Sequence, residues 1–449
     1  MNETLKKYIT ERVLLYYVET YGCQMNEHES EKLSGVLEGL GFMPASEKKD
    51  ADFIIFNTCC VREHAEERLY GNIGALKEHK QNVPGAVIAV CGCMMQQQDA
   101  AQKLMKRFPH VDMVFGTNHI HRLESLLESV LLEGARAHSV EPDEEIVEGL
   151  SAKRSGAPGA FVNIIYGCNN FCSYCVVPYV RGRERSRKSK DIFDEINGLF
   201  ESGVTEITLL GQNVNSYGKD LGDDVSFPEL LERIDKDTGI KRIRFMTSHP
   251  KDLTDELIGC FGRLDSLCEH IHLPVQSGSD DVLRRMNRRY TSGHYLELID
   301  KLRQRVPDIA VTTDIIVGFP GETEEDFERT MELVRNVRYD AAYTFAYSSR
   351  KLTKAASMPG HLDKAVKAQR LSRLNALIAQ CVRERNGSYL GREFEVLADS
   401  VSRRSDDELR GRTRSAKTVT FTGRPDEIGN YINVKIDNIK THTLHGVRN

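Results

Sequence analysis

The chain of 449 residues contains no tryptophan, and it has no apolar run long enough to cross a bilayer. Its first residues, MNETLKKYITERV, lack the apolar core of a secretory leader. A cytoplasmic protein with no membrane association is therefore expected. It also lacks a strong charge bias, with a net charge of -5, so bulk charge says little about partners; a local basic face would matter more than the total. Hydrophobic residues at 40% and charged residues at 28% exclude a disordered or fibrous chain. What the sequence does contain is cysteine, 11 in all. In a reducing compartment these are not expected as disulfides, and their grouping in short motifs points to metal or catalysis.

The length exceeds what one hydrophobic core usually organises, so two or three domains are expected. From residue 14 to about 117, apolar strand-like runs (LLYYVET, DFIIFNT, AVIAVCG, MVFG) alternate with amphipathic stretches. This order predicts an α/β fold, a doubly wound parallel domain over 1–140. EPDEEIVEG and SAKRSGAPG show no periodicity and read as a linker over 141–157. A second alternation, FVNIIYG, ITLLGQN, RIRFMTS, HIHLPVQS, AVTTDIIVGF and DAAYTFAYS, predicts a (β/α)6 partial barrel over 158–387. Its chemistry would sit at the C-terminal ends of the strands. Short β-type runs over 388–449 predict a small all-β barrel. Its basic run RGRTRSAK, including Arg412 and Arg414, is either a solvated loop or a phosphate-binding rim.

GCNNFCSYC places Cys168, Cys172 and Cys175 directly after the first strand of the second series. Structural zinc normally takes four protein ligands, and no fourth Cys or His stands nearby in sequence. Three thiolates on a [4Fe-4S] cube instead leave one iron open to a substrate or cofactor. With Tyr174 before its last cysteine, the CxxxCxxC spacing resembles the signature of the radical SAM superfamily. That resemblance implies that the open iron chelates S-adenosylmethionine (SAM) and that the reduced cluster cleaves it to a 5′-deoxyadenosyl radical.

In the first domain Cys23, Cys59 and Cys93 each end a predicted strand, and parallel strands bring these ends together. Singly, such cysteines are more often buried small hydrophobes. Cys60 and Cys91 compete with their neighbours: strict alternation puts Cys91 and Cys93 on one face, and spacing alone does not choose between them. TYGCQMN, NTCCVRE and GCMMQ resemble the three cysteine motifs of the methylthiotransferases, a radical SAM subfamily with an N-terminal auxiliary cluster. The resemblance assigns Cys23, Cys59 and Cys93 to that cluster. It extends through PYVRGRERSR, LLGQNVNSY, HLPVQSGSD, MNRRYT, DIIVGFPGET and a C-terminal segment like the TRAM module. One departure is Leu352, where the family pattern has glycine.

The family implies two [4Fe-4S] clusters facing one cavity and two uses of SAM. One methylates sulfur at the auxiliary cluster; the other supplies the radical that takes hydrogen from an unactivated carbon, chemistry beyond acid–base side chains. Candidate SAM contacts are Gln212, Asn213, Gln276, Ser277, Gly318 and Glu322, each otherwise a satisfied strand-end group or a plain turn. Arg181, Arg183, Arg185 and Arg187 form a basic run that is either solvated surface, a path for a phosphate backbone, or a grip on the cofactor carboxylate. Arg185 and Arg187, with Arg412 and Arg414, are the candidate tRNA contacts. The electron donor would be a flavodoxin or ferredoxin, and a monomer is expected.

TYGCQMN and GCMMQ most resemble the subfamily that modifies C2 of N6-isopentenyladenosine beside the tRNA anticodon. A base there would have to leave its stack to reach the barrel. The alternatives are the subfamilies acting on threonylcarbamoyladenosine in tRNA or on an aspartate of a ribosomal protein. From a different class, a non-catalytic iron-sulfur protein that binds RNA or carries electrons is also considered, although a carrier prefers complete four-cysteine ligation.

Overall fold

The computed structural model describes residues 3–60, 63–141, 143, 145–154, 156, 158–402, 405, 407–440 and 443–448. Two compact units are present. One comprises residues 1–155, 166–168 and 176–185, and the other 156–165, 169–175 and 186–449.

The first unit is a parallel sheet of β1 (Leu15–Thr20), β2 (Met43–Pro44), β3 (Phe53–Thr58), β4 (Val87–Gly92), β5 (Met113–Phe115) and β6 (Ala137–Ser139) in the order β2-β1-β3-β4-β5-β6. Alternate residues of its central strands build two separate cores. Phe53, Ile55, Val87, Ala89 and Cys91 pack with Leu5, Leu33, Leu37 and Leu123, from helices Glu3–Arg12, Gln24–Leu40 and Leu123–Leu131. Ile54, Phe56, Ile88 and Val90 pack with Leu69, Ile73 and Leu104, from helices Glu63–Asn82 and Gln98–Arg107. Helices thus cover both faces, as the continuous apolar runs of β3 and β4 predict. The strand order reverses between β1 and β3, which is where sheets of this kind open a ligand crevice at the strands' carboxyl ends.

Among the described residues no helix or strand lies between β6 and Gly159. This stretch is nevertheless anchored. The Lys153 amide donates to the Glu31 carbonyl at 2.8 Å, and Arg154 Nη1 stands 2.7 Å from the Glu31 carboxylate.

In the second unit six parallel strands alternate with helices. Gly159–Asn163, Glu206–Leu210 and Arg242–Phe245 form one sheet; His270–His272, Ala310–Val317 and Ala341–Ala346 form another. A parallel bridge, Ile243 to Leu267, leads from the first sheet towards the second. The series is the six-unit α/β partial barrel read from the sequence, and one hydrophobic core runs through both sheets. Side-chain caps fix the helix starts: Ser226 and Glu229 form a capping box at Phe227–Asp237, and Thr323 and Asp326 another at Glu324–Val337.

The tail closes into a five-stranded barrel around Val396, Leu409, Val419, Phe421, Val434 and Ile436. Two buried arginines on one face of strand Arg242–Phe245 hold it. Arg242 Nη1 donates to the Arg412 carbonyl at 2.9 Å, and Arg244 donates to the Thr413 and Arg414 carbonyls, each at 2.8 Å.

Candidate functional site

The carboxyl ends of β1, β3 and β4 bring the first unit's cysteines together. Cys23 is the N-cap of helix Gln24–Leu40; burial pushes its thiol up, opposed by the charge of Arg181. Gly22, at φ 126°, lies against Cys59: a Cβ on it would fall 2.6 Å from Cys59 Cβ and 3.0 Å from its sulfur. A side chain at Gly22 would therefore displace Cys59. Asn26 ties the loops, its Nδ2 donating to the Tyr21 carbonyl at 3.0 Å and to the Thr58 carbonyl at 2.9 Å.

Spacing left Cys91 and Cys93 on one face; Gly92 separates them. Its φ of 96° ends the strand, and a Cβ there would meet the Thr58 carbonyl at 2.4 Å. Cys91 consequently stays in the hydrophobic core while Cys93 turns towards the other thiols. Cys60 is hydrogen-bonded to Cys93. That bond, helped by Arg181, holds the Cys93 thiol below its ordinary pKa against the effect of burial. Cys60, as the donor, is pushed well up.

Arg181 reaches the same point. It is 4% exposed, and its Nε donates to Cys93 Sγ at 3.1 Å. Nη1 stands 2.7 Å from Glu29 Oε1, while Nη2 donates to Glu29 Oε2 and Asn26 Oδ1, both at 3.3 Å. The run Arg181–Arg187 is thus not a uniform solvated face. Arg187 is buried too, paired with Glu195 at 2.6 Å and with the Asn163 carbonyl at 2.7 Å, which replaces the expected phosphate contact with an internal one. Arg185 donates to the carbonyls of Asp143 and Arg181. No sequence signal marks Glu29 as the partner of Arg181, since their chain separation is 152 residues.

Among the described residues no three Cys, His, Asp or Glu close around one point as a single metal ion requires. A cluster whose ligands sit on separate irons does not need them to. The gathered thiols, a lowered Cys93 and a neighbouring cation suit an anionic sulfur-ligated cluster.

Of the CxxxCxxC cysteines, Cys168 belongs to the first unit, where its amide donates to the Gly182 carbonyl at 3.2 Å. Cys172 and Cys175 belong to the second, where the Cys175 amide donates a hydrogen bond to the Cys172 carbonyl at 3.0 Å. Arg288, buried, places Nη1 3.5 Å from Cys172 Sγ and was not singled out by sequence.

Around the strand ends of the second unit several buried polar atoms have no partner among the described residues: Asn213 Oδ1, the Asn215 amide, Ser248 Oγ and Gln276 Oε1. Left dry, such atoms are costly, so a polar ligand is the natural complement. Asn213 and Gln276 were expected there; Asn215 and Ser248 were not. Gln212 is half-buried immediately beyond strand Glu206–Leu210. Ser277 bonds Thr330 instead, and Glu322 accepts from the Gly318 amide at 2.8 Å and pairs with Arg370 at 2.6 Å. These three candidates, Ser277, Gly318 and Glu322, are thus engaged in loop and helix contacts of their own. Arg414 is paired with Glu269, whereas Arg412 is more open, 3.6 Å from Asp399. Edge strand Ala341–Ala346 also exposes two aromatic rings, Tyr343 and Phe345, followed by exposed Lys351 and Lys354.

Residues 15–116 match the "Uncharacterized protein family UPF0004", 162–334 the radical SAM superfamily, and 387–447 the TRAM domain. A tRNA-2-methylthio-N(6)-dimethylallyladenosine synthase from Caldicellulosiruptor saccharolyticus is 54% identical over 432 residues, covering 96% of this chain and 92% of the relative. The synthase of Clostridium tetani is 51% identical over 432 residues, with 96% and 95% covered. The chain belongs to this synthase family.

Membership brings with it the radical SAM cofactors, a [4Fe-4S] cluster and SAM. The fold is shared more widely. The radical S-adenosylmethionine methyltransferase TsrM from Kitasatospora setae aligns with a TM-score of 0.58 at 14% identity over 77% of this chain and 74% of that one. No helix among the described residues is long and apolar enough to cross a membrane.

Proposed function

We infer that the protein inserts sulfur and a methyl group at C2 of N6-isopentenyladenosine next to the tRNA anticodon. The observation that carries this reading is the 54% identity with a synthase of that reaction over nearly the whole of both chains. When bound, the two clusters would supply reductive cleavage of SAM at one and the transferable sulfur at the other, which no side chain provides.

The chain's own residues hold and orient. Cys168, Cys172 and Cys175 would ligate the SAM-cleaving cluster, and Cys23, Cys59 and Cys93 the auxiliary one, each set leaving one iron open. Asn213, Asn215, Ser248 and Gln276, with Gln212 beside them, offer buried polar atoms for the amino, carboxylate and ribose groups of SAM. Tyr343 and Phe345 offer ring faces to unstacked bases of the anticodon stem-loop, and Arg412 a cation to its phosphates. The remaining parts of the reading are a flavodoxin or ferredoxin as reductant, a cytoplasmic location and a monomeric enzyme.

Anaerobic reconstitution followed by iron counting and nucleoside mass spectrometry tests it. About eight irons per chain and 2-methylthio-N6-isopentenyladenosine in the product are expected. Methylthio mass on threonylcarbamoyladenosine or on a ribosomal protein instead would reassign the substrate. Reduced protein that fails to cleave SAM would point to a non-catalytic iron-sulfur protein.

A further inference from the structure

Resting on the reading that Cys23, Cys59 and Cys93 hold a cluster, we propose that Arg181 is a positioning residue that tunes it. The guanidinium donates a charge-assisted hydrogen bond to the Cys93 sulfur and raises the cluster's reduction potential, and Glu29 fixes its geometry.

The five donors of a guanidinium fan out in one plane, so a single side chain can serve a sulfur and a carboxylate at once. Arg181 does this, with Nε at 3.1 Å from Cys93 Sγ and the two Nη groups on Glu29 and Asn26. Glu29 is in turn held by Thr117, whose hydroxyl donates to Oε1 at 2.8 Å. The chain sulfur–arginine–carboxylate–hydroxyl is the outer-shell arrangement that orients metal ligands.

A buried ion pair alone contributes little stability, because desolvation offsets its attraction. Turning Nε onto a sulfur is favourable where that sulfur carries negative charge, as a cluster ligand does. Cluster potentials respond to net charge and to hydrogen bonds on sulfur. Arg181 supplies both, drawing charge from the ligand and favouring the reduced state; Glu29 opposes it by partly neutralising the cation. Opposite substitutions at the two positions must then shift the potential in opposite directions.

The test uses the full chain with Cys168, Cys172 and Cys175 replaced by alanine, so that only the auxiliary cluster remains. About four irons per chain are expected there. If no iron is retained in this background, it is the cluster assignment that fails. With iron in place, the one-electron couple between the 2+ and 1+ states is titrated with dithionite and mediators and followed by electron paramagnetic resonance. Arg181→Gln should move the midpoint to more negative potential and alter the spectrum, Arg181→Lys should restore part of the shift, and Glu29→Gln should move it to more positive potential. Full iron with an unchanged midpoint in Arg181→Gln overturns the proposal. Should both Arg181 variants lose iron, Glu29→Gln, which leaves the arginine in place, decides: an unchanged or more negative midpoint overturns it.

Discussion

Arg414 grips Glu269 with both arms of its guanidinium: Nε stands 2.8 Å from Oε2 and Nη2 2.9 Å from Oε1, while Nη2 also donates to the Leu267 carbonyl at 2.8 Å. This fork joins the C-terminal barrel to the start of the second parallel sheet. Arg412, in the same basic run, has a side chain 47% exposed. The two arginines should therefore separate by assay. Arg414→Ala should lower the thermal midpoint, with a loss of about 1 kcal/mol for a bidentate, partly solvated pair. Arg412→Ala should leave the midpoint alone and reduce the salt dependence of tRNA binding by about one unit of slope. Thermal unfolding and binding measured at several salt concentrations check both.

Cys91 and Cys93, indistinguishable by strand alternation, should behave differently when removed. Cys91→Ala takes a small group from the core, with a stability loss of about 1 kcal/mol and with iron content and methylthio formation retained. Alanine at Cys23, Cys59 or Cys93 should abolish methylthio formation while 5′-deoxyadenosine still appears on reduction with SAM. Iron counting and product mass spectrometry on the four variants decide between the two cysteines.

The architecture was legible because periodicity dictated it. Continuous apolar runs such as FIIFNT became strands buried on both faces, and the change to short β-type runs near 388 marked the start of the final barrel. The close spacing of Cys168, Cys172 and Cys175 is local and so legible in the sequence, whereas Cys23, Cys59 and Cys93 come together only through the order of the strands. Partner choice is not local. Nothing in PYVRGRERSR says that Arg181 meets Glu29 or that Arg187 turns inward to Glu195, because only the folded chain brings those carboxylates into reach. Likewise Asn215 and Ser248 look like ordinary loop residues until burial strips them of partners.

Leu352 shows a departure from family pattern acquiring a physical meaning. It has a φ of 74°, in the region that favours glycine, and its side chain is exposed. The left-handed conformation costs a non-glycine residue about 1–2 kcal/mol, against roughly 0.5–1 kcal/mol for the extra freedom glycine loses on folding. Leu352→Gly should thus be neutral or raise stability by up to about 1.5 kcal/mol. A lower unfolding midpoint in this variant would show that the leucine side chain makes a compensating contact.

His249 gives the fold an acid sensitivity of predictable sign. Burial, reinforced by the positive charge of Arg288, pushes its pKa down to about 2, although Asp252 opposes the shift; Lys251 and Lys219 add to it. The folded imidazole stays neutral, and its Nδ1 accepts from the Lys251 amide at 3.2 Å. In the unfolded chain the group titrates near 6.5, so below that pH the unfolded state binds a proton that the folded state refuses. Stability from this group is complete above about pH 7 and falls as the pH drops, by about 2 kcal/mol at pH 5. Denaturant midpoints between pH 7.5 and 5 should decline more steeply in the natural protein than in His249→Gln. Asp252, held at about 2 largely by hydrogen bonds from Lys219 and Asn213 despite its burial, loses its contribution only below about pH 4 and leaves this window undisturbed.

Tyr343 and Phe345 project from one face of their strand, opposite Asp314 and Ile316 in register, and the rings of Tyr343 and His272 meet edge to face, 6.0 Å between centroids. Residues two apart on a strand stand about 7 Å from each other along it, which suits two separate base contacts rather than one shared ring. Exposed aromatic rings carry hydration without compensation, and an unstacked base would cover them. Each alanine substitution should then weaken binding of an anticodon stem-loop by about 1–3 kcal/mol, and it should do so without changing iron content or the uncoupled cleavage of SAM. Leucine at either position would keep the apolar area but lose the flat face, so it should recover little. If leucine restored full affinity, the rings would be serving as apolar cover and not as a stacking surface.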